Sequence, residues 1–305
     1  MRWAAGQHAA PAAPQTRGGS GDGSPCPGAA LPPDGPPRCS NADGSRSWRR
    51  RSCSRRSPAG KAGGVPWRLL RASTDLSTCY VGVSFYRAAG SDTLDTAVAH
   101  IFNERGDGVI VRGGTAHVSH DDRQPHLLAA DADSLLRNAL AVYKREHRTL
   151  PARVVVHKSS RFTADEIGCF TAAAGDRELH ALDLIWITDS EDAMIFRPGD
   201  TPPLRGTFMT LGTTEHMIYT KGSIPFYSVY SGMYVPTPVG LRPARLTISP
   251  RELSVEILAL SKMNWNQSQR DSRFPITLRT ADQVKRILRF CDPAEEIATR
   301  YAQYM

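Results

Sequence analysis

Residues 152–188 read ARVVVHKSSRFTADEIGCFTAAAGDRELHALDLIWIT, and three signals inside this stretch decide the fold. Residues 152–157 (ARVVVH) form a short continuous apolar run, the pattern of a strand covered on both faces. Thr163 followed by Glu166 is a capping-box pair, which starts a helix. Residues 182–188 (LDLIWIT) are again strand-like. Upstream, Pro151 stops a helical region that begins near Asp131. There Ala132, Leu135, Leu136, Ala139, Leu140 and Tyr143 recur at helical spacing. Further upstream, residues 79–86 (CYVGVSFY), 108–112 and 116–118 read as strands, with a Gly113-Gly114 turn between the last two. Downstream, strands are expected at 193–196, 207–211 and 216–219, with a further candidate at 246–248. Pro250 opens a helix through Leu260, carrying Leu253, Ile257, Leu258 and Leu260, and residues 282–290 form the last helix. Strands first, then helix and strand in alternation, predict an α/β domain with a mixed sheet flanked by helices.

Order is expected from about Trp67, which makes residues 67–305 the folded domain. Residues 1–66 hold eleven Gly, ten Pro, ten Lys/Arg and three Asp/Glu, with Ser/Arg runs such as SRSWRRRSCSRR at 45–56. Such a segment buries too little apolar surface to offset its ordering entropy, so a disordered basic leader is expected. It reads either as an arginine-rich arm on phosphates, or as a solvated tail or sequence upstream of the true start. The remaining residues carry 28 Lys/Arg against 27 Asp/Glu. Any nucleic-acid site in the folded part must therefore be a local basic groove.

No apolar core of the roughly 7–15 residues of a signal peptide follows Met1 and Arg2. No stretch approaches the ~18 apolar residues of a membrane span. Cys26, Cys39, Cys53, Cys79, Cys169 and Cys291 show no zinc-type spacing. Free thiols and a cytoplasmic location without membrane partners are expected.

In an α/β sheet, chemistry collects at the carboxyl ends of central strands. The two ends singled out are Gly82-Val83-Ser84 and His157-Lys158-Ser159-Ser160, expected side by side. Aspartates there would indicate two-metal phosphoryl chemistry, with Mg²⁺ ions ~3.5–4 Å apart. Both positions are serine, and a neutral hydroxyl does not replace a bridging carboxylate. A Ser/His nucleophile reading with His157 lacks a G-x-S-x-G elbow.

Residues 256–276 (EILALSKMNWNQSQRDSRFPI) resemble the helix, Asn-Trp turn and Pro-containing strand of the PIWI domain of prokaryotic Argonautes. YTKG at 219–222, PFYSVY at 225–230, YAQYM at 301–305 and VVHKS at 155–159 fit the same family, so the resemblance covers roughly residues 77–305. It implies an RNase H-like mixed sheet. Active members carry three acidic residues and a fourth Asp, His or Asn. The first falls here on Ser84, the mobile glutamate near Pro125, the second Asp on Ser159, and the fourth, at the opening of the last helix, on Asp282, which is retained. The resemblance thus implies a catalytically inactive member that binds a guide RNA or DNA and its target, in prokaryotic defence against foreign nucleic acid, with no cofactor needed for catalysis.

The implied strand-binding residues are Lys285, Arg286 and Arg289 on the last helix, near the guide's 5′ phosphate. The carboxylate of Met305 would act there through a Mg²⁺ ion. Lys262, Asn264 and Asn266 suit phosphate and sugar contacts, and Lys221, Tyr227 and Tyr230 suit a backbone groove. Arg197 and Lys158 are weaker members of it. No MID domain is recognisable before residue 77, so a MID-bearing chain and a separate effector are expected partners. Two alternatives stay open: a Mg²⁺-dependent endonuclease pairing Asp282 with Asp92, Asp95, Glu104, Asp121 or Asp122, and a truncated, non-functional fragment.

Overall fold

The computed structural model describes residues 77–87, 94–102, 108–111, 114–190, 193–227, 229, 230, 232–263 and 272–290. All lie in the second of two compact units, Ser52–Met305. The elements are β1 (Thr78–Arg87), β2 (Leu94–Phe102), β3 (Gly108–Val111), β4 (Thr115–Val118), β5 (Pro125–Leu127), α1 (Ala129–His147), β6 (Arg153–Lys158), α2 (Ala164–Gly175), β7 (Ala181–Asp189), β8 (Phe208–Thr210), β9 (His216–Ile218), β10 (Val239–Arg245), α3 (Pro250–Leu260) and α4 (Ile276–Leu288).

The strands form one mixed sheet in the order β5-β4-β2-β1-β6-β7-β10-β9-β8, with β3 pairing β2. The centre is parallel, β1 with β6 and β6 with β7, and β2 and β10 flank it antiparallel. Side chains alternate across a strand, so each central strand feeds two cores. Cys79, Val81, Val83, Val154, Val156, Leu182 and Leu184 pack beneath α1 and α2. Tyr80, Val155, Ile185 and Ile187 pack beneath α3 and α4. This double cover explains why residues 152–157 read as continuously apolar. Leu136 and Leu140 of α1 are fully buried, each contributing ~2 kcal/mol of apolar transfer.

A buried ionic network ties the second layer to the sheet. Arg153 donates to Asp183 Oδ2 of β7 at 2.6 Å and to both carboxylate oxygens of Glu256 on α3 at 2.8 and 3.0 Å. The Tyr80 hydroxyl donates to Glu256 as well.

Three sequence expectations fail here. Residues 193–196 and 246–248 form no strand. The strand directly before 246–248 is β10, whose Pro243 hid it. Proline is tolerated because β9 pairs only Val239 to Leu241, and a register shift follows between Pro243 and Arg245. The last helix begins at Ile276, directly after Pro275, and not at Asp282. Its buried face mixes Thr277 and Thr280 with Ile276, Leu278, Ala281, Val284 and Leu288, so the apolar period is broken in sequence. The segment read as a Pro-containing strand is thus the helix start.

Candidate nucleic-acid interface

The two strand ends do lie side by side. Val83 is in register with Lys158, and the Ser159 amide donates to the Val83 carbonyl at 3.3 Å. The β1–β2 register shifts between Val83 and Phe85. The extra residue falls in β2, opposite Ser84. Bulges of this kind are frequent beside functional sites because they re-aim a side chain. Ser84 is 4% exposed and its hydroxyl has no hydrogen-bond partner among the described residues.

The first turn of α4 presses on this end of the sheet. A Cβ on Gly82 would lie 2.9 Å from Thr277 Cβ and would collide with the Thr277 carbonyl, so the closest approach of helix to strand requires glycine. Thr277 Oγ1 and His157 Nδ1 are 2.8 Å apart. Burial lowers the His157 pKa to about 3, and the Arg153 charge adds to this. His157 is therefore neutral, wholly buried, and without a partner for Nε2 among the described residues. A neutral, enclosed imidazole held by a threonine is not placed as the base of a serine nucleophile. Serine hydroxyls and this imidazole do not fit a pair of divalent cations, which need bridging carboxylates.

Asp282 sits in the second turn of α4 and pairs with Lys285 and with Arg286 on its own helix. It does not open the helix, as the resemblance implied. Pro125 begins β5. It lies beside the end of β6: the Pro125 carbonyl accepts from Ser160 Oγ at 2.6 Å, and Gln124 Oε1 accepts from the Arg161 amide at 2.8 Å. No group of three or more His, Cys, Asp or Glu suited to a metal ion occurs among the described residues. Asp121 and Asp122 occupy the β4–β5 turn. Asp92 and Glu104 lie outside the described residues.

Lys158 was expected in the strand-binding groove and is instead core. Its side chain is fully buried, pairs with the fully buried Glu166 at 2.5 Å and donates to the Arg161 carbonyl at 2.9 Å. Alternation along β6 turns it towards α2, where Phe85 and Phe162 lie 5.6 and 5.1 Å away. Burial lowers its pKa, while Glu166 opposes that shift. Glu166, which the sequence offered only as a capping residue, also accepts from the Leu127 amide at 2.7 Å and the Thr163 amide at 2.8 Å.

The remaining basic and aromatic candidates are at the surface. Lys262 donates to the Thr220 carbonyl at 2.7 Å, which clamps the loop bearing Lys221. Tyr227 is exposed, with Phe226 edge-on at 5.0 Å, and the Tyr230 hydroxyl donates to the Tyr234 carbonyl at 3.3 Å. Arg197 is exposed and donates to Thr201. Arg286 is exposed, Lys285 half-buried, and Arg289 stacks on Phe290. Sequence reasoning missed the exposed apolar side chains around the tyrosines, Phe226, Val229, Met233, Tyr234 and Val235. Asn264, Asn266 and Met305 lie outside the described residues.

With this geometry in hand, solved structures supply the class of fold. Clostridium butyricum Argonaute bound to a guide DNA and a 19-mer target DNA superposes with a TM-score of 0.59 at 15% identity, over 76% of this chain and 29% of that one. Aa-Ago with externally bound siRNA gives 0.56 at 18% identity, over 78% and 31%. Marinitoga piezophila Argonaute with a 5′ OH guide RNA and target DNA gives 0.53 at 12% identity, over 70% and 30%. The fold is therefore Argonaute-like, an RNase H-like mixed sheet, and the chain spans about three tenths of the length of those proteins. No protein-family model and no curated protein matches the sequence. No helix among the described residues is long and apolar enough to cross a membrane. Cys79 and Cys169 are free.

Proposed function

We propose that this chain is a PIWI-like module that holds a guide strand and its target without cutting them. The observation that carries the reading is the pair of neutral strand ends, Ser84 and Ser159, at the carboxyl edge of the central parallel strands. Two-metal hydrolysis needs carboxylates at such an edge. The structural neighbours in complex with guide and target strands support nucleic acid as the partner. Lys221, Tyr227, Tyr230, Arg197, Lys285, Arg286 and Arg289 are the proposed strand contacts among the described residues, with Lys262 positioning the Lys221 loop. Asn264, Asn266 and a Mg²⁺ ion held at the guide's 5′ phosphate by the Met305 carboxylate complete the proposal. A MID-bearing chain supplies the rest of the phosphate pocket, a separate effector acts after target pairing, and the setting is defence against foreign nucleic acid in the cytoplasm.

The test is a titration of the full chain with a 5′-phosphorylated RNA or DNA of about 18 nucleotides, at two salt concentrations with Mg²⁺. The expected result is salt-sensitive binding, weakened by Lys285→Ala with Arg286→Ala, and intact strands on a gel. Cut strands that depend on Asp282 overturn the non-cutting reading. Absence of binding at micromolar protein, alone and with a MID-bearing chain, overturns the binding reading.

A further inference from the structure

A run of twenty residues without a charge, 222–241, separates Lys221 from Arg242. Part of it turns its side chains outward. Phe226, Tyr227, Val229, Met233, Tyr234 and Val235 are each between 62 and 89% exposed. At ~150–250 Å² for each aromatic, the six present on the order of 800 Å² of mainly apolar surface. The largest apolar patch on a typical monomer is ~300–600 Å², and a larger one marks a contact surface.

The loop that carries them is held in shape. At its start the Ser223 hydroxyl donates to the Pro202 carbonyl at 2.9 Å, and the Tyr227 amide donates to the Ile224 carbonyl at 3.0 Å. At its end the Pro238 carbonyl accepts from Arg273 at 3.0 Å. Between these points the Tyr230 hydroxyl donates to the Tyr234 carbonyl at 3.3 Å. The Tyr230 ring lies so close to Gly232 that a Cβ there would collide with it. Phe226 and Tyr227 meet edge to face at 5.0 Å. The outward side chains thus stand on an ordered backbone, which lowers the entropy cost of association.

Charge and area together name the occupant. Tyr, Phe and Met without charged neighbours are the composition of the buried centre of a protein–protein interface. No cation within 222–241 is present to meet a phosphate. The chain carries a net charge of +8, so two copies repel, and they meet at least cost through a neutral surface. A twofold axis brings the same patch from both partners. Two such patches bury roughly 1,600 Å², the size of a standard stable interface.

We propose that the loop at 225–235 joins two copies of this chain in a twofold dimer, with Phe226 and Met233 as its anchors. Tyr227, also a proposed strand contact, lies within the patch, so the dimer is the form expected without nucleic acid.

The experiment is sedimentation equilibrium of the full chain, freed of nucleic acid, from ~1 to ~100 µM, the weak end of what this area gives. A monomer–dimer equilibrium is expected. Phe226→Asp and Met233→Asp are each expected to weaken it at least about thirtyfold, because each change enters a twofold interface twice. Both side chains are more than four-fifths exposed, so these variants remain folded, checked by circular dichroism. They keep Lys221, Tyr227 and Tyr230, so strand binding is measured on them independently of the dimer. A single monomeric mass up to ~100 µM, a dimer unchanged in both variants, or a mass that climbs past the dimer with concentration overturns the proposal. So does co-sedimentation with phosphatidylcholine vesicles that is lost in both variants, since the loop would then serve a lipid surface.

Discussion

Replacing Glu166 by Gln strands the Lys158 ammonium in the core with the Arg161 carbonyl as its remaining partner. Breaking a fully buried ion pair from one side costs ~3–5 kcal/mol. The Leu127 and Thr163 amides donate to different carboxylate oxygens, so the single amide oxygen of Gln keeps only one of them and a value above the lower end, about 4 kcal/mol, is expected. At a urea slope of ~2 kcal/mol per molar this lowers the unfolding midpoint by about 2 M. Adding Lys158→Met removes the uncompensated charge and replaces it with an apolar chain of similar length. Most of the loss should return, since apolar replacement of a buried pair is often near neutral. The assay is urea unfolding followed by circular dichroism, with strand binding at two salt concentrations as a second readout. A single-variant shift below ~0.3 M, or a double variant no better than the single, would refute the account of a buried, mutually dependent pair. A salt slope reduced by about one in Lys158→Met would show that this ammonium meets a phosphate, contrary to its buried position.

Gly82→Ala drives a methyl into the Thr277 backbone and is expected to cost ~1–3 kcal/mol, read as a lowered melting temperature. His157 titrates lower in the folded protein than its ordinary 6.5. Its contribution to stability is therefore complete above that value and is lost as pH falls from there towards 3. About 2 kcal/mol should disappear between roughly pH 7.5 and pH 5, and the dependence should flatten in His157→Gln, measured by denaturant unfolding across pH. Ser249→Ala removes half of the capping box on α3 and should cost ~1 kcal/mol by the same measurement.

Where the sequence was legible, one physical signal dominated. The capping box at Thr163, the helix opened by Pro250, the helical period of α1 and the doubly covered strand β6 each appear in the structure as read. Together with the juxtaposition of Ser84 and Ser159, they placed the centre of the candidate site. What stayed hidden depended on partners distant in the chain. Lys158 looks like any surface cation until alternation turns it towards Glu166. Pro243 argues against a strand until β9 is seen to stop short of it. The start of α4 is invisible because two threonines occupy its buried face, one held by His157 and the other bonded back to Ile276. A cleft at His117 and His126 had no sequence signature, since its lining comes from a hairpin and a helix start separated by α1 and β6.

The Arg153 network also bears on time. Its bonds to Glu256 join residues separated by 103 and 176 positions, so these cannot close until most of the chain is present and α3 has docked. Contacts of such long range form late in folding. Interactions absent from the folding transition state slow unfolding without hastening folding. The network should therefore act as a latch on the assembled sheet. Replacing Arg153 and Glu256 together by apolar residues should speed unfolding in stopped-flow denaturant jumps and leave the refolding rate nearly unchanged.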